Sequence, residues 1–178
     1  LLIDAEQGAL FVRPDEKVIK DFEALKETKK KVAEIESTIQ PETRTSDGTV
    51  IKLLANINLL SDLDVARRLK AEGIGLYRSE FPFVVRNDFP SEEEQYRVYR
   101  KLVEGMPGRE IVFRTLDIGG DKMLSYFQTG NEANPFLGLR AIRLSLRYLN
   151  IFAPQIRALL RAGAGGEMRI MFPFVSSI

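Results

Sequence analysis

Apolar and polar positions change period along the chain, and the changes mark its elements. Leu1 to Val12 is apolar on both sides of Glu6-Gln7-Gly8, which predicts two short strands joined as a hairpin. Pro14, Asp15 and Glu16 then open a helix, since proline is tolerated and acids are favoured in a first helical turn. Val18, Phe22, Leu25, Val32 and Ile39 fall near heptad spacing, with Lys29 interrupting the stripe. The rest of this helix is strongly charged, so it reads as an amphipathic linker with a solvated face rather than a coiled coil. Pro41 to Gly48 is a polar loop ending on the turn signal Ser46-Asp47-Gly48, which places a domain boundary there.

From Val50 onward strands and helices alternate. Val50 to Ile57 is an apolar strand. Ser61, with Asp64 in the box position, caps a helix to about Ala71 that Gly73 closes. Gly73 to Glu80, GIGLYRSE, is the second strand. Ser91 and Glu94 form a capping box for a helix that runs to Gly105. Glu110 to Asp117, EIVFRTLD, is the third strand. Asn134-Pro135 opens a helix on which Arg140, Arg143 and Arg147 recur, and another runs from about Pro154 to Gly163. Met168 to Val175, MRIMFPFV, is the fourth strand. This alternation predicts right-handed crossovers and a parallel sheet, an α/β fold. A closed eight-stranded barrel takes ~250 residues. Four strands therefore make half a barrel or a small open sheet.

Composition narrows the chemistry. Lys and Arg number 26 against 25 acids, so no net charge pulls the chain toward nucleic acid or a membrane surface. No apolar run approaches the ~20 residues that span a bilayer. Cysteine is absent, which is compatible with the cytoplasm and excludes disulfides and thiolate metal sites within these residues. Histidine is also absent, so these residues contain no Ser-His-Asp triad, no His metal ligand and no phosphohistidine. Carboxylates, arginine, lysine, hydroxyls and the backbone carry whatever chemistry the chain has.

Two arginines stand out. Side chains alternate along a strand, so Arg78 shares a face with Ile74 and Leu76, and Arg114 shares one with Val112 and Leu116. Each lies near the C-terminal end of its strand, the end where parallel α/β folds bind ligands. If the strands are neighbours they lie ~4.8 Å apart, and two guanidiniums at similar height repel unless an anion bridges them. Forked guanidiniums suit phosphate or carboxylate, so a phosphorylated ligand fits. The alternative is structural: Glu80 and Asp117 neutralise the pair. Both readings can hold together. Lys122 is either a third phosphate contact or a solvated loop lysine, and Gly119-Gly120 is either an anion nest or a turn. Arg143 and Arg147 read as a helix's polar face, while Arg140, in the first turns, reaches toward the site. Asp117 as a metal ligand is one carboxylate on one strand, a weak pattern.

Four stretches, GIGLYRSEF, FRTLDIGGDK, NPFLGLRAIR and RIMFPFV, resemble in order and spacing the phosphoenolpyruvate-binding domain of the enzyme I family. These are the phosphoenolpyruvate–protein phosphotransferases of the bacterial sugar phosphotransferase system. Pyruvate phosphate dikinase and phosphoenolpyruvate synthase are more distant relatives. FPFVVRNDFPSEEEQ and DKMLSYF resemble the nitrogen-regulatory branch more than the sugar branch. The resemblance implies a (β/α)8 TIM barrel that binds phosphoenolpyruvate (PEP) and Mg2+ at the C-terminal strand ends. It implies a cytoplasmic, homodimeric transferase that passes the phosphoryl group to its own histidine, on a swivelling domain, and then to the carrier HPr, releasing pyruvate. Arg78 and Arg114 would hold the phosphate, with Asp117, Lys122 and Arg140 in support.

By the same resemblance, residues 1–13 match the end of the phosphohistidine swivel domain and 14–46 the linker helix and loop. Residues 47–178 match the N-terminal half of the barrel. The phosphorylated histidine is expected before Leu1. The metal ligands, a further phosphate arginine and a cysteine proton donor are expected beyond Ile178. The chain therefore reads as an internal fragment of an enzyme that does not turn over alone. The alternatives are a fragment of a dikinase-type enzyme and a non-catalytic anion-binding module using Arg78 and Arg114. Half a barrel leaves unpaired edges at its first and last strands, and such edges invite pairing. Self-association is the expected outcome in light scattering, and a clean monomer at high concentration refutes it.

Overall fold

The structure, a computed structural model, describes residues 1–4, 9–12, 16–40, 42–119 and 138–177. The turn at 6–8, the Pro14-Asp15 helix start, Gly120, Lys122 and Asn134-Pro135 lie outside the described residues. The chain divides into two compact units, Leu1–Gln40 and Pro41–Ile178.

In the first unit, β1 (Leu2–Asp4) pairs antiparallel with β2 (Ala9–Phe11), Leu2 opposite Phe11, as the hairpin pattern predicts. The helix α1 spans Glu16–Thr38. Val18, Phe22 and Ile39 are half-buried, while Lys20, Glu23, Lys26 and Glu27 are exposed; the side chains of Leu25, Lys29 and Val32 lie outside the described ones.

The second unit opens differently from the expectation. The stretch predicted as a polar loop contains β3 (Thr43–Arg44), which pairs antiparallel with β4 (Val50–Ile51) around a turn where Gly48 takes φ +88°. The predicted strand from Val50 to Ile57 is therefore two elements. Leu53 gives its N–H to the Glu72 carboxylate and its carbonyl accepts from the Glu72 N–H, and the chain then enters β5 (Ala55–Ile57).

Strands β5, β6 (Ile74–Arg78), β7 (Ile111–Arg114) and β8 (Met168–Met171) form one parallel sheet in chain order. The fourth strand stops earlier than predicted: Pro173 has no N–H to donate to a ladder, and Phe174 turns to φ +63°. Helices connect the strands: α2 (Asp62–Arg68), the short α3 (Phe81–Val84), α4 (Glu92–Gly105), α5 (Ala141–Arg147) and α6 (Leu149–Gly163). None of the described helices is long and apolar enough to cross a membrane.

Three helix ends correct the sequence reading. Ser61 makes no side-chain cap to α2; the Asp62 carboxylate instead accepts from the Asn58 and Leu59 N–H groups, each at 2.9 Å. The same helix closes at Lys70, not Gly73. Lys70 takes φ +54°, with Ala71 N–H bonded to the Ala66 carbonyl and Lys70 N–H to that of Arg67, the paired pattern of a Schellman end. Helix α6 begins at Leu149 and carries Pro154 inside it, because burying Ile151 beneath the sheet rim draws the earlier turn into the helix.

The main core lies between the sheet and helices α4 and α6. Ile74, Tyr77, Ile111 and Phe113 from the strands meet Tyr99 and Leu102 from α4 and Ala158, Leu159 and Ala162 from α6. Tyr77, Tyr99 and Phe113 pack edge-to-face with centroids 5.4–6.1 Å apart. Such contacts contribute about 1 kcal/mol each beyond the area they bury. The register is irregular between Ile74 and Tyr77, so both point to this core although strict alternation separates them. Gly75 sits at that irregularity, where a Cβ would lie 2.8 Å from the Leu54 Cβ.

The capping box on α4 is formed as predicted: the Ser91 hydroxyl accepts from the Glu94 N–H, and the Glu94 carboxylate accepts from the Ser91 N–H. The Ser91 hydroxyl and backbone, then Arg86, hold the Glu94 carboxyl at about 2, well below its ordinary 4.5. A depressed carboxyl stabilises the fold above its unfolded value and loses that contribution as pH falls through its folded value. Ser91→Ala is expected to lower stability by about 1 kcal/mol in urea melts near neutral pH. The gap to wild type should narrow as pH falls from 4.5 toward 2.

Candidate functional site

Arg78 ends β6 and Arg114 ends β7, and the two are direct register partners on neighbouring parallel strands. Each alternates with a core residue, Tyr77 and Phe113, so each leaves the face opposite the helices. The sequence argument placed Ile74 on the face of Arg78 and Leu116 on that of Arg114. Ile74 belongs instead to the helix-side core, and Leu116, past the end of β7, packs with Phe83, Ile118 and Ile151. The two arginines nevertheless reach one rim.

Their surroundings differ. The Arg114 side chain is 15% exposed and lies between two acids that are each 8% exposed. Its Nη2 donates to Glu80 Oε1 in a short charge-assisted bond, and its Nη1 lies 3.4 Å from Asp117 Oδ2. Asp117 Oδ1 accepts from Arg140 Nη2 at 2.9 Å. The result is an alternating row, Arg140–Asp117–Arg114–Glu80, in which every carboxylate is charge-paired. The Arg114 Nε is buried and has no hydrogen-bond partner among the described residues. Arg78 is exposed and makes no ion pair with any described residue. The structural alternative thus holds for Arg114, while Arg78 keeps its charge available at the rim.

Arg140 reaches this row by a route the sequence reading missed. The prediction set it in the first turns of a helix opened by Asn134-Pro135. It is instead the extended residue preceding α5, at φ −143° and ψ 166°, and its guanidinium lies 4.4 Å over the Phe174 ring. The Ala141 N–H bonds to the Ile118 carbonyl, which fastens this segment beside the strand end. Gly119, at φ +135°, makes room: a Cβ there would lie 2.3 Å from the Arg140 Cβ. Arg143 and Arg147 lie on α5, apart from the row, and Arg143 donates to the Gly138 carbonyl at 3.2 Å. Lys122 lies outside the described residues.

Sequence reasoning also missed Gln155, whose amide sits behind the rim at 1% exposure and receives the Leu116 N–H at 3.0 Å. A signal was present: Gln155 interrupts the otherwise apolar stripe of Ile151, Ala158, Leu159 and Ala162 on α6. As for a divalent cation, Glu80 and Asp117 are the buried acids at the rim, and both already face guanidiniums. Among the described residues no three acids gather into a metal-holding group. Those residues do not by themselves fit a magnesium ion.

A family profile described as "PEP-utilising enzyme, PEP-binding domain" matches residues 30–178. Proteins named phosphoenolpyruvate-protein phosphotransferase from Staphylococcus carnosus, Listeria innocua and Staphylococcus aureus are 44%, 42% and 44% identical over the whole of this chain. The chain spans 31% of the length of each of these curated relatives.

The row makes Asp117, itself buried, the shared partner of two half-buried cations. Asp117→Asn keeps the shape and removes the charge, so both guanidiniums lose their common counterion. Breaking a buried pair from one side costs about 3–5 kcal/mol. Chemical denaturation should show a loss of that order, and a loss below about 1 kcal/mol would place the row in an effectively aqueous setting.

Proposed function

This chain belongs to the PEP-utilising enzymes through their PEP-binding domain, and from that premise we propose that it forms the phosphate-gripping part of a phosphoenolpyruvate–protein phosphotransferase. The observation that carries the reading is the register pairing of Arg78 with Arg114 at one end of a parallel sheet. Arg78 supplies an uncommitted guanidinium, and Arg114 supplies one held at fixed orientation by two acids. A phosphate bridging them relieves their repulsion and is gripped from two sides. Arg140 and Asp117 keep Arg114 in place, and Lys122 is a further contact to the same phosphate.

The reaction suits such a site. The bond between phosphorus and the enol oxygen of PEP breaks, a bond from phosphorus to an imidazole nitrogen forms, and the enolate takes up a proton to become pyruvate. A loose phosphoryl-transfer transition state asks mainly for positioning and charge neutralisation. This chain contains no histidine, so the acceptor imidazole comes from another domain or chain. The phosphoryl group then moves to an HPr-type carrier. A bound Mg2+ would be held by ligands expected beyond Ile178 and would supply further charge neutralisation. The parallel sheet in chain order supports half of a (β/α)8 barrel; completion of the barrel, a cytoplasmic location and a homodimer are further parts of the same proposal.

The differing partners of the two arginines give a test in the intact phosphotransferase. Arg78→Met is expected to weaken PEP binding at least ~10-fold, since charge-assisted hydrogen bonds to phosphate are lost. It should leave the melting temperature nearly unchanged, because Arg78 is exposed and makes no ion pair among the described residues. Arg114→Met should lose both affinity and stability. Calorimetric titration with PEP decides, and equal affinity in wild type and Arg78→Met overturns the proposal.

A further inference from the structure

Behind the rim lies a second polar cluster, set in an apolar layer. Both the carbonyl and the amino group of the Gln155 amide are engaged there. Oε1 accepts from the Leu116 N–H at 3.0 Å. Nε2 donates to Ser79 Oγ at 3.1 Å and to the Tyr99 hydroxyl at 3.2 Å. The Tyr99 hydroxyl donates onward to Gln95 Oε1 at 3.0 Å, and Gln95 Nε2 donates to the Pro90 carbonyl at 3.0 Å. Burial raises the Tyr99 hydroxyl well above its ordinary range, so it stays a neutral donor.

The two outward contacts of Gln155 fall next to the acids that hold Arg114. Ser79 precedes Glu80, and Leu116 precedes Asp117. These segments come from different βα units and no ladder joins them: β6 pairs with β7 only as far as Arg78 and Arg114. Past that point the Thr115 N–H still reaches the Met171 carbonyl, and the next donor, Leu116 N–H, goes to Gln155. A methionine would fill the same volume without desolvating an amide. What it cannot do is bind both segments at a fixed separation.

We infer that Gln155 is a positioning residue: from the helix layer it sets the spacing of Glu80 and Asp117, and so the orientation in which Arg114 meets a ligand. This goes beyond the anion-site reading and depends on it only for its second readout. The spacing is local and set by directional bonds. Loss of the amide should therefore loosen Arg114 out of proportion to any loss of global stability.

The first readout needs no ligand. The Arg114 Nε–H is buried and has no hydrogen-bond partner among the described residues, so its NMR resonance, identified by its loss in Arg114→Lys, reports opening of the row. In the full chain, Gln155→Met is expected to speed its exchange with solvent at least ~10-fold, since exchange follows local opening. Tyr99→Phe removes the two inner bonds of the network, from Gln155 Nε2 and to Gln95 Oε1, but neither outward contact, and should leave that exchange within ~2-fold of wild type, even where it lowers the melting temperature. Gln155→Glu supplies a pH profile. The neutral acid keeps one donor and one acceptor, so its excess exchange relative to wild type should shrink as pH falls and the buried carboxyl protonates. If Gln155→Met does not fold, that profile decides alone.

The second readout is KM for PEP in the intact phosphotransferase, expected to rise ~10-fold in Gln155→Met and not in Tyr99→Phe. Exchange in Gln155→Met equal to wild type, or a Gln155→Glu profile parallel to wild type, overturns the inference. Failure of wild type to bind PEP, with the exchange differences intact, overturns the proposed function and leaves the positioning role standing.

Discussion

Two guanidiniums at one height on adjacent parallel strands cannot share a partly desolvated rim without neutralisation. At ~5 Å and an effective dielectric of ~20 their repulsion is about 3 kcal/mol, comparable to the largest single packing terms in so small a sheet. The protein resolves half of this conflict and leaves the other half open. Glu80 and Asp117 hold Arg114 from two sides, and Asp117 is steadied by Arg140. Arg78 is exposed and has no ion-pair partner among the described residues. A fully neutralised rim would hold no attraction for an anion, and a fully uncompensated one would be hard to fold.

The helix layer makes that half-resolved state tolerable. Tyr77 and Phe113, which precede the two arginines, lock against Tyr99 in the aromatic core, so the strand ends cannot drift apart. Helices α4 and α6 are also tied at their surface, where Glu92 receives Arg157 and Arg161, and Arg161 lies over the Tyr96 ring. Exposed pairs of this kind contribute little each. Their effect here is to hold in alignment the two helices whose buried faces carry Gln95, Tyr99 and Gln155.

Much of this was legible in the sequence because it rests on local rules. The capping box at Ser91 and Glu94, the parallel strand order and the pairing of Arg78 with Arg114 follow from spacing and alternation. Local rules failed where a distant partner took over. Ser61 looked like a cap, yet the neighbouring Asp62 carboxylate collected the free N–H groups. The strand from Val50 looked continuous, yet Glu72 captured the backbone at Leu53 and divided it. Arg140 looked helical, yet the pull of Asp117 and the missing side chain of Gly119 drew it into extended backbone. Pro154 looked like a helix start, yet burial of Ile151 extended the helix back past it. Gln155 was visible only as a polar break in an apolar stripe, and its partners lie on segments that no spacing rule connects to it.

The placement of Arg114 on one face of β7 and Phe113 on the other bears on how the sheet finds its alignment. Sliding β7 by a single position against β6 would turn the guanidinium into the aromatic layer and the phenyl ring out to water. Mispaired sheets would thus be penalised twice, once for a stranded cation and once for a lost ring. The cation held at the rim by Glu80 and Asp117 thus also penalises misregistered strands, so removing it would be felt in strand assembly as well as at the rim.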